Sequence, residues 1–218
     1  MSVKLSIVTT LYRSASYLEE FYRRSSAVAQ DTAKDNYEII LVNDGSPDDS
    51  LKLAIDFSKN DKHVTVVDLS RNFGHHNAML AGLGYANGDI IFLIDADLEE
   101  EPEWFFRFYA SMTAENADVV YGVQKKRKGG LFERISGYVS YSLLNLLTNI
   151  DHPRNVVTAR TMTRRYVDAL LMYSEREVAI SCLWVLAGFR QCAIPVIKHK
   201  NDNTSYRYSM KVNHLINE

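Results

Sequence analysis

The sequence predicts an α/β fold: a mostly parallel central sheet flanked by helices, followed by a helix-rich C-terminal region. Three observations carry this. Apolar, β-branched runs alternate with amphipathic stretches, the links between them are short, and the rhythm breaks after residue 123 of the 218. Each parallel crossover passes through a helix, so such alternation describes a sheet covered on both faces.

The run VKLSIVTTLY (3–12) reads as a buried strand, and Ser16 with Glu19 has the spacing of a capping box at the next helix. YEIILVND (37–44) is a second strand, followed by a helix over 46–60 with Ser46 as cap and Pro47 in its first turn. VTVVDLS (64–70) is a third strand and leads to a helix from His75 to Ala86. After Asn87-Gly88 comes DIIFLIDAD (89–97) as a fourth strand; Pro102 opens a helix, and DVVYGV (118–123) is a fifth strand. Beyond it, 131–148 places Leu131, Ile135, Tyr138, Leu143 and Leu146 on one helical stripe. Helices are expected at 164–173 and 177–187, a strand at 190–198 and a polar loop at 199–209. One continuous domain is expected, residues 1–123 forming a ligand-binding half and 124–218 an attached half.

Composition mostly excludes. Two cysteines, Cys182 and Cys192, with no Cys-x-x-Cys or His-x-His nearby argue against a disulfide scaffold or structural zinc. A strand starting this early is expected to leave no room for a signal peptide, and no run of about 18 apolar residues suits a membrane span. Spanning helices beyond Glu218 are left open, as is a homo-oligomer. The net charge of -2 hides a division: residues 1–120 hold 10 basic and 20 acidic side chains, and 121–218 hold 15 and 7. Two differently charged working surfaces are expected. Basic residues interleaved with Tyr206 and Tyr208 resemble a nucleic-acid strip, but the acidic first half argues against that partner.

Ligands of open α/β sheets collect at the carboxyl ends of strands. Asp44, in the turn after strand two, is a candidate acceptor for a base or ribose, and Arg71, Asn72 and Gly74 follow strand three. The sharpest cluster is LIDADLEEEP (93–102), where Asp95 and Asp97 follow four apolar residues and alternate onto one side. Converging carboxylates repel unless a cation lies between them, and hard oxygens suit Mg²⁺ or Mn²⁺ with a diphosphate completing the shell. Glu100, Glu101 and Glu103 are read as a solvated acidic turn. Adjacent His75 and His76 are not expected to share a metal, and Trp104 and Trp184 are read as core or interface aromatics.

SIVTTLY, IILVNDGSPDDS, SRNFGHHNAMLAGLGYANGD and DADLEEEP, in this order over residues 5–102, together resemble family 2 glycosyltransferases of the GT-A fold. Within that family the chain is most similar to the polyprenyl-phosphate sugar transferases, the dolichyl-phosphate mannose synthase type. The likeness continues more weakly in RTMTRRYVDAL (160–170), WVLAGFRQCAIPV (184–196) and TSYRYS (204–209). It implies a nucleotide-sugar donor, UDP- or GDP-linked, contacted by Thr10, Tyr12, Asp44, Asn72, Gly74, Asp95 and Ala96. It implies a metal held by Asp95, Asp97 and Glu99, the last standing where the family often has Gln. Many relatives carry Gly-Asp-Phe-Arg where this chain reads Val157-Thr158-Ala159-Arg160, so the usual candidate base is Thr158.

A hydroxyl acceptor needs a base, whereas a lipid phosphate is already largely ionised at neutral pH, with a second pKa of about 6. The loss of the Asp therefore favours a polyprenyl phosphate such as undecaprenyl or dolichyl phosphate. Positive charge to meet it comes from Arg127, Arg160 and Arg207, and Asp97 and Arg160 are the candidate catalytic residues, with Glu175 and Glu177 as substitute bases for a hydroxyl. Lys125–Lys128 beside the 131–148 stripe suits an anionic membrane surface, so the cytoplasmic membrane face is the expected place of action. Two alternatives remain: transfer to a glycan hydroxyl in cell-envelope polysaccharide assembly, and a non-catalytic nucleotide-sugar-binding module.

Overall fold

The structure is a computed structural model that describes residues 4–124, 155–173 and 180–199. Within them the order is β1 (Leu5–Leu11), α1 (Ala15–Ala33), β2 (Tyr37–Asn43), α2 (Ser50–Asn60), β3 (Val64–Asp68), α3 (His75–Tyr85) and β4 (Ile90–Leu93). It continues with α4 (Trp104–Glu115), β5 (Val119–Gln124), β6 (Val156–Thr163), α5 (Arg164–Leu171), α6 (Ile180–Leu186) and β7 (Gln191–Val196). Among the described residues the strands form one seven-stranded sheet ordered β3-β2-β1-β4-β6-β5-β7. Only β6 runs against its neighbours, antiparallel to both β4 and β5.

Alternation along the strands feeds two cores. Ile7, Ile39 and Phe92 face α1 and α4, where Phe21, Phe105 and Phe108 close the layer. Val8, Ile40 and Leu93 face the other way, against Met79 and Leu83 of α3 and Tyr166 and Val167 of α5. Helix α3 lies so close to the sheet that a Cβ at Gly82 would fall 2.6 Å from Val8 Cγ1 and 2.8 Å from Val42 Cγ2. Burying strands on both faces is why they read as continuous apolar runs.

The helix starts differ from expectation. Helix α1 begins at Ala15, because the Ser14 carbonyl already accepts from the Tyr17 and Leu18 amides, so Ser16 lies inside. Helix α2 begins at Ser50 rather than at Ser46: Asp48 accepts from the Ser46 and Ser50 hydroxyls and the Ser50 amide, folding 46–49 into a turn. The same carboxylate accepts from the Ala15 amide, so one side chain ties both helix starts together. Helix α4 begins at Trp104, two residues after Pro102. The helix over 164–173 appears as the shorter α5, the described part of the one over 177–187 as α6, and the last strand as β7.

Strand β6 was not expected. Its sequence, VVTARTMT, puts a charged arginine amid alternating apolar and polar residues, which hides the strand. It comes from beyond residue 124 yet lies between β4 and β5, so the two halves of the sequence share one sheet. The expected helix over 131–148 lies outside the described residues, as does the 199–209 loop after its first residue. Among the described residues no helix is long and apolar enough to cross a membrane.

Candidate active site

Strands β1 to β4 are mutually parallel, so their carboxyl ends share one edge of the sheet. Because β6 is antiparallel, its first residues arrive at that edge, and β7, parallel to β5, delivers Lys198 and His199 there. Residues from both halves of the chain thus meet around the loop that follows β4.

The loop after β2 is built against the loop after β3. Asp44 is almost fully buried; its Oδ1 accepts from the Phe73 amide at 2.7 Å and its Oδ2 from the Gly74 amide at 3.1 Å. Gly45 has φ +60°, and a Cβ there would stand 2.5 Å from the Asn72 backbone nitrogen. Asp44, expected at the nucleobase, therefore first of all holds the 71–74 loop, and the remaining lone pairs of its oxygens are the capacity left for a ligand. Asn72 is exposed and its Oδ1 accepts from the Gly74 amide at 3.0 Å; Tyr12 is exposed at the end of β1, 5.7 Å from the Arg13 guanidinium.

Thr10 joins the site through His75, a residue not expected to take part. The Thr10 hydroxyl lies 3.0 Å from His75 Nδ1, and His75 Nε2 lies 3.3 Å from Asp95 Oδ1. Desolvation works against the imidazolium, but Asp95 outweighs it and the His75 pKa goes up. Asp95 is disfavoured by burial, yet His75 and a hydrogen bond from the Thr158 side chain hold it below the usual carboxylate range. The position of His75, directly after the Gly74 that caps α3, was the available signal; its pairing with His76 was not.

Ala96 is buried, and at Leu98 the backbone is left-handed (φ 59°), turning the loop back on itself. There Asp97 Oδ1 accepts from the Glu99 amide at 3.0 Å. Burial and the neighbouring Asp95 charge push the Asp97 carboxyl up. Glu99 Oε2 is 3.5 Å from Lys198 Nζ.

Glu100 overturns the reading of a solvated acidic turn. It is 0% exposed; its oxygens accept from the Thr158 amide at 3.1 Å and the Ala159 amide at 2.7 Å, and Lys198 Nζ lies 3.0 Å away. Burial, then the Asp95 charge, push its pKa up to about 7. Glu101 pairs with His199 and accepts from Trp104 Nε1, and Glu103 pairs with Arg24.

Arg160 sits inside the fold rather than at its mouth. It is 1% exposed, stacks on the Trp184 ring, and donates to the Thr158 carbonyl at 3.1 Å and the Val157 carbonyl at 3.2 Å. Burial pushes its pKa down to about 9. As placed, its guanidinium shapes the start of β6 and does not open onto solvent, contrary to the expected phosphate contact. Trp184 and Trp104 both pack against the cores, as expected. Arg127, Glu175, Glu177 and Arg207 lie outside the described residues.

The Asp95–Asp97 pair suits a divalent cation. Its hard oxygens match Mg²⁺ or Mn²⁺, and the Asp97 carboxyl is pushed up first by burial and then by the Asp95 charge, both of which a cation would offset. Among the described residues no group of three or more His, Cys, Asp or Glu side chains is placed to hold a metal ion, so the expected trio with Glu99 is not assembled.

Glycosyl transferase family 2 matches residues 6–171 of the chain. A protein of Mycobacterium tuberculosis described as "Putative glycosyltransferases" is 43% identical over 98% of this chain and 62% of its own length. The undecaprenyl-phosphate 4-deoxy-4-formamido-L-arabinose transferase of Klebsiella pneumoniae is 31% identical over 94% of this chain and 63% of its own. The chain thus spans about three-fifths of these curated relatives. Among solved structures, a mannosyltransferase from Pyrobaculum calidifontis in complex with GDP-Man and Mn²⁺ superposes with a TM-score of 0.68 at 16% identity, covering 98% of this chain and 61% of that one. At that identity the likeness speaks for the fold: a mostly parallel sheet flanked by helices. The family match covers the strand ends that assemble the acidic edge, and the chain belongs to glycosyl transferase family 2.

Proposed function

We propose that the chain carries the catalytic domain of a metal-dependent, inverting glycosyltransferase that moves a sugar from a nucleotide sugar to a polyprenyl phosphate at the cytoplasmic face of a membrane. The observation that carries this reading is the buried-strand exit at Asp95 and Asp97, with Thr158 rather than a carboxylate against Asp95. The Klebsiella relative is named for an undecaprenyl-phosphate acceptor, and the fold neighbours are complexes with GDP-Man and Mn²⁺ or with UDP-GlcNAc.

Asp95 and Asp97 would hold the cation, which when bound offers Lewis-acid stabilisation to a departing diphosphate. The chain's own groups do the rest. His75, itself held by Thr10, fixes the Asp95 carboxylate, and the Thr158 side chain adds a hydrogen bond to it. Asp44 holds the 73–74 amides that line the donor side. A phosphate oxygen of the acceptor forms the new bond to the anomeric carbon as the carbon–diphosphate oxygen bond breaks. An ionised phosphate has no proton to surrender, so Thr158 in place of a base costs nothing. Positive charge from Arg127 and Arg207 would receive the acceptor, with Arg160 adding its charge from within the sheet.

The test is incubation of the protein with UDP- and GDP-sugars, Mn²⁺ and undecaprenyl or dolichyl phosphate. The expected product is an organic-extractable sugar lipid that disappears with EDTA. Nucleotide binding without any such product would overturn the acceptor assignment. Glu175→Ala and Glu177→Ala should leave the rate within about threefold, whereas a hydroxyl acceptor predicts a loss of roughly a hundredfold or more.

A further inference from the structure

Four carboxylates, Asp95, Asp97, Glu99 and Glu100, fall within six residues of the loop after β4. Glu100 is fixed in place: it is wholly buried, and two backbone amides of β6 hold it. Lys198 arrives from the far edge of the sheet, and its Nζ stands 3.0 Å from Glu100 Oε1 and 3.5 Å from Glu99 Oε2. Its reach is set by backbone. The next residue, His199, donates its amide to the Glu99 carbonyl at 2.9 Å, and Arg107 donates to the Pro195 carbonyl at 3.1 Å just upstream. An ammonium has three donors, enough for both carboxylates at once.

We infer that Lys198 is a positioning residue that sets the charge of the cation site, its ammonium shared between Glu100 and Glu99 so that Asp95 and Asp97 are the pair that meets the divalent ion. This rests on the cation-dependent reading above. Glu99 then acts as the partner of Lys198 and not as a metal ligand. With Lys198 in place one positive charge stands between Glu99 and Glu100 beside the site; without it, the ion would meet an additional uncompensated negative charge.

MnCl₂ titrated calorimetrically into nucleotide-free protein tests the assignment. Lys198→Met should bind Mn²⁺ about threefold to tenfold more tightly than the wild type, because a nearby positive charge is gone. Lys198→Arg should restore wild-type affinity, and the double variant Glu99→Gln/Lys198→Met should return close to it. Lys198→Gln carries the same expectation as Lys198→Met should the latter fail to fold. Unchanged or weaker Mn²⁺ binding in the neutral variants overturns the inference. So does a double variant that binds far more weakly than wild type, since Glu99 would then be a ligand. A wild type that takes up no Mn²⁺ removes the cation site itself and this inference with it; a wild type that binds while Lys198→Met binds no tighter removes only the role of Lys198.

Discussion

Glu100 is a carboxylate without solvent contact, and the Thr158 and Ala159 amides with the Lys198 ammonium replace the water it lost. Removing it would leave two amides without their acceptor and the Lys198 ammonium with Glu99 as its remaining carboxylate partner at 3.5 Å. Glu100→Ala is therefore expected to lose about 3–5 kcal/mol of stability, the usual cost of breaking a buried pair from one side. Urea unfolding of the variant measures it, and a loss below about 1 kcal/mol would show that water reaches the pocket. Asp95 and Asp97 stand out in the sequence because their signal is local: polar residues directly after a buried strand. Glu100 does not, because its partners lie 58 positions away at Thr158 and farther still at Lys198. His75 is hidden for the same reason, its partners being Thr10 on β1 and Asp95 after β4.

At the scale of elements, the proposed donor side depends on two loops meeting backbone to backbone. Gly45 lies at their contact, with a left-handed φ of +60° and the Asn72 nitrogen 2.5 Å from where a Cβ would be. Gly45→Ala is expected to cost more than about 1 kcal/mol from the left-handed backbone alone, and the clash would move the 71–74 loop that Asp44 holds. Nucleotide affinity, read by calorimetry with Mn²⁺ present, should fall together with the urea midpoint. Gly84→Ala is the control, since it lies in α3 with nothing within 4 Å of the added Cβ. It should be neutral or stabilise by up to about 1 kcal/mol. Equal losses at both positions would contradict the loop contact as the cause. Elements with a clean period were legible: β1, β2 and α3 stand close to where apolar runs and punctuation put them. The starts of α1 and α2 shifted because Asp48 reorganises both, and β6 stayed hidden because Arg160 breaks its apolar pattern.

Across the whole molecule, among the described residues, the shifted carboxylates divide into two groups with opposite pH linkage, and Asp95, held low against its burial by His75, belongs with the lowered ones although it lies in the acidic loop. Asp48, Asp61 and Asp118 tie elements together away from the acidic loop. Burial works against each charge, but hydrogen bonds outweigh it: hydroxyls and amides at Asp48, His63 and Tyr22 at Asp61, and Arg165 with Thr163 at Asp118. Their pKa values lie below the unfolded value of 3.8, so their contribution is complete above it and is lost as pH falls through the folded values. Asp97 and Glu100 are shifted up, Glu100 to about 7 from 4.5, so the native state holds their protons more tightly than the unfolded chain does. His75, also raised, adds stability below its unfolded pKa that is lost as pH rises through the folded one. In EDTA the urea midpoint should therefore climb as pH is lowered from about 8 to about 5, then collapse below about 4. Asp118→Asn should flatten the acid limb and Glu100→Gln the alkaline one. A cation held as proposed by Asp95 and Asp97 would bind the deprotonated site, so adding Mn²⁺ should raise the midpoint most at neutral and alkaline pH and move the optimum upward. A metal-free midpoint that rises steadily from pH 5 to pH 8 would mean that the loop after β4 carries its negative charge without strain. The electrostatic case for a cation between Asp95 and Asp97 would then fall.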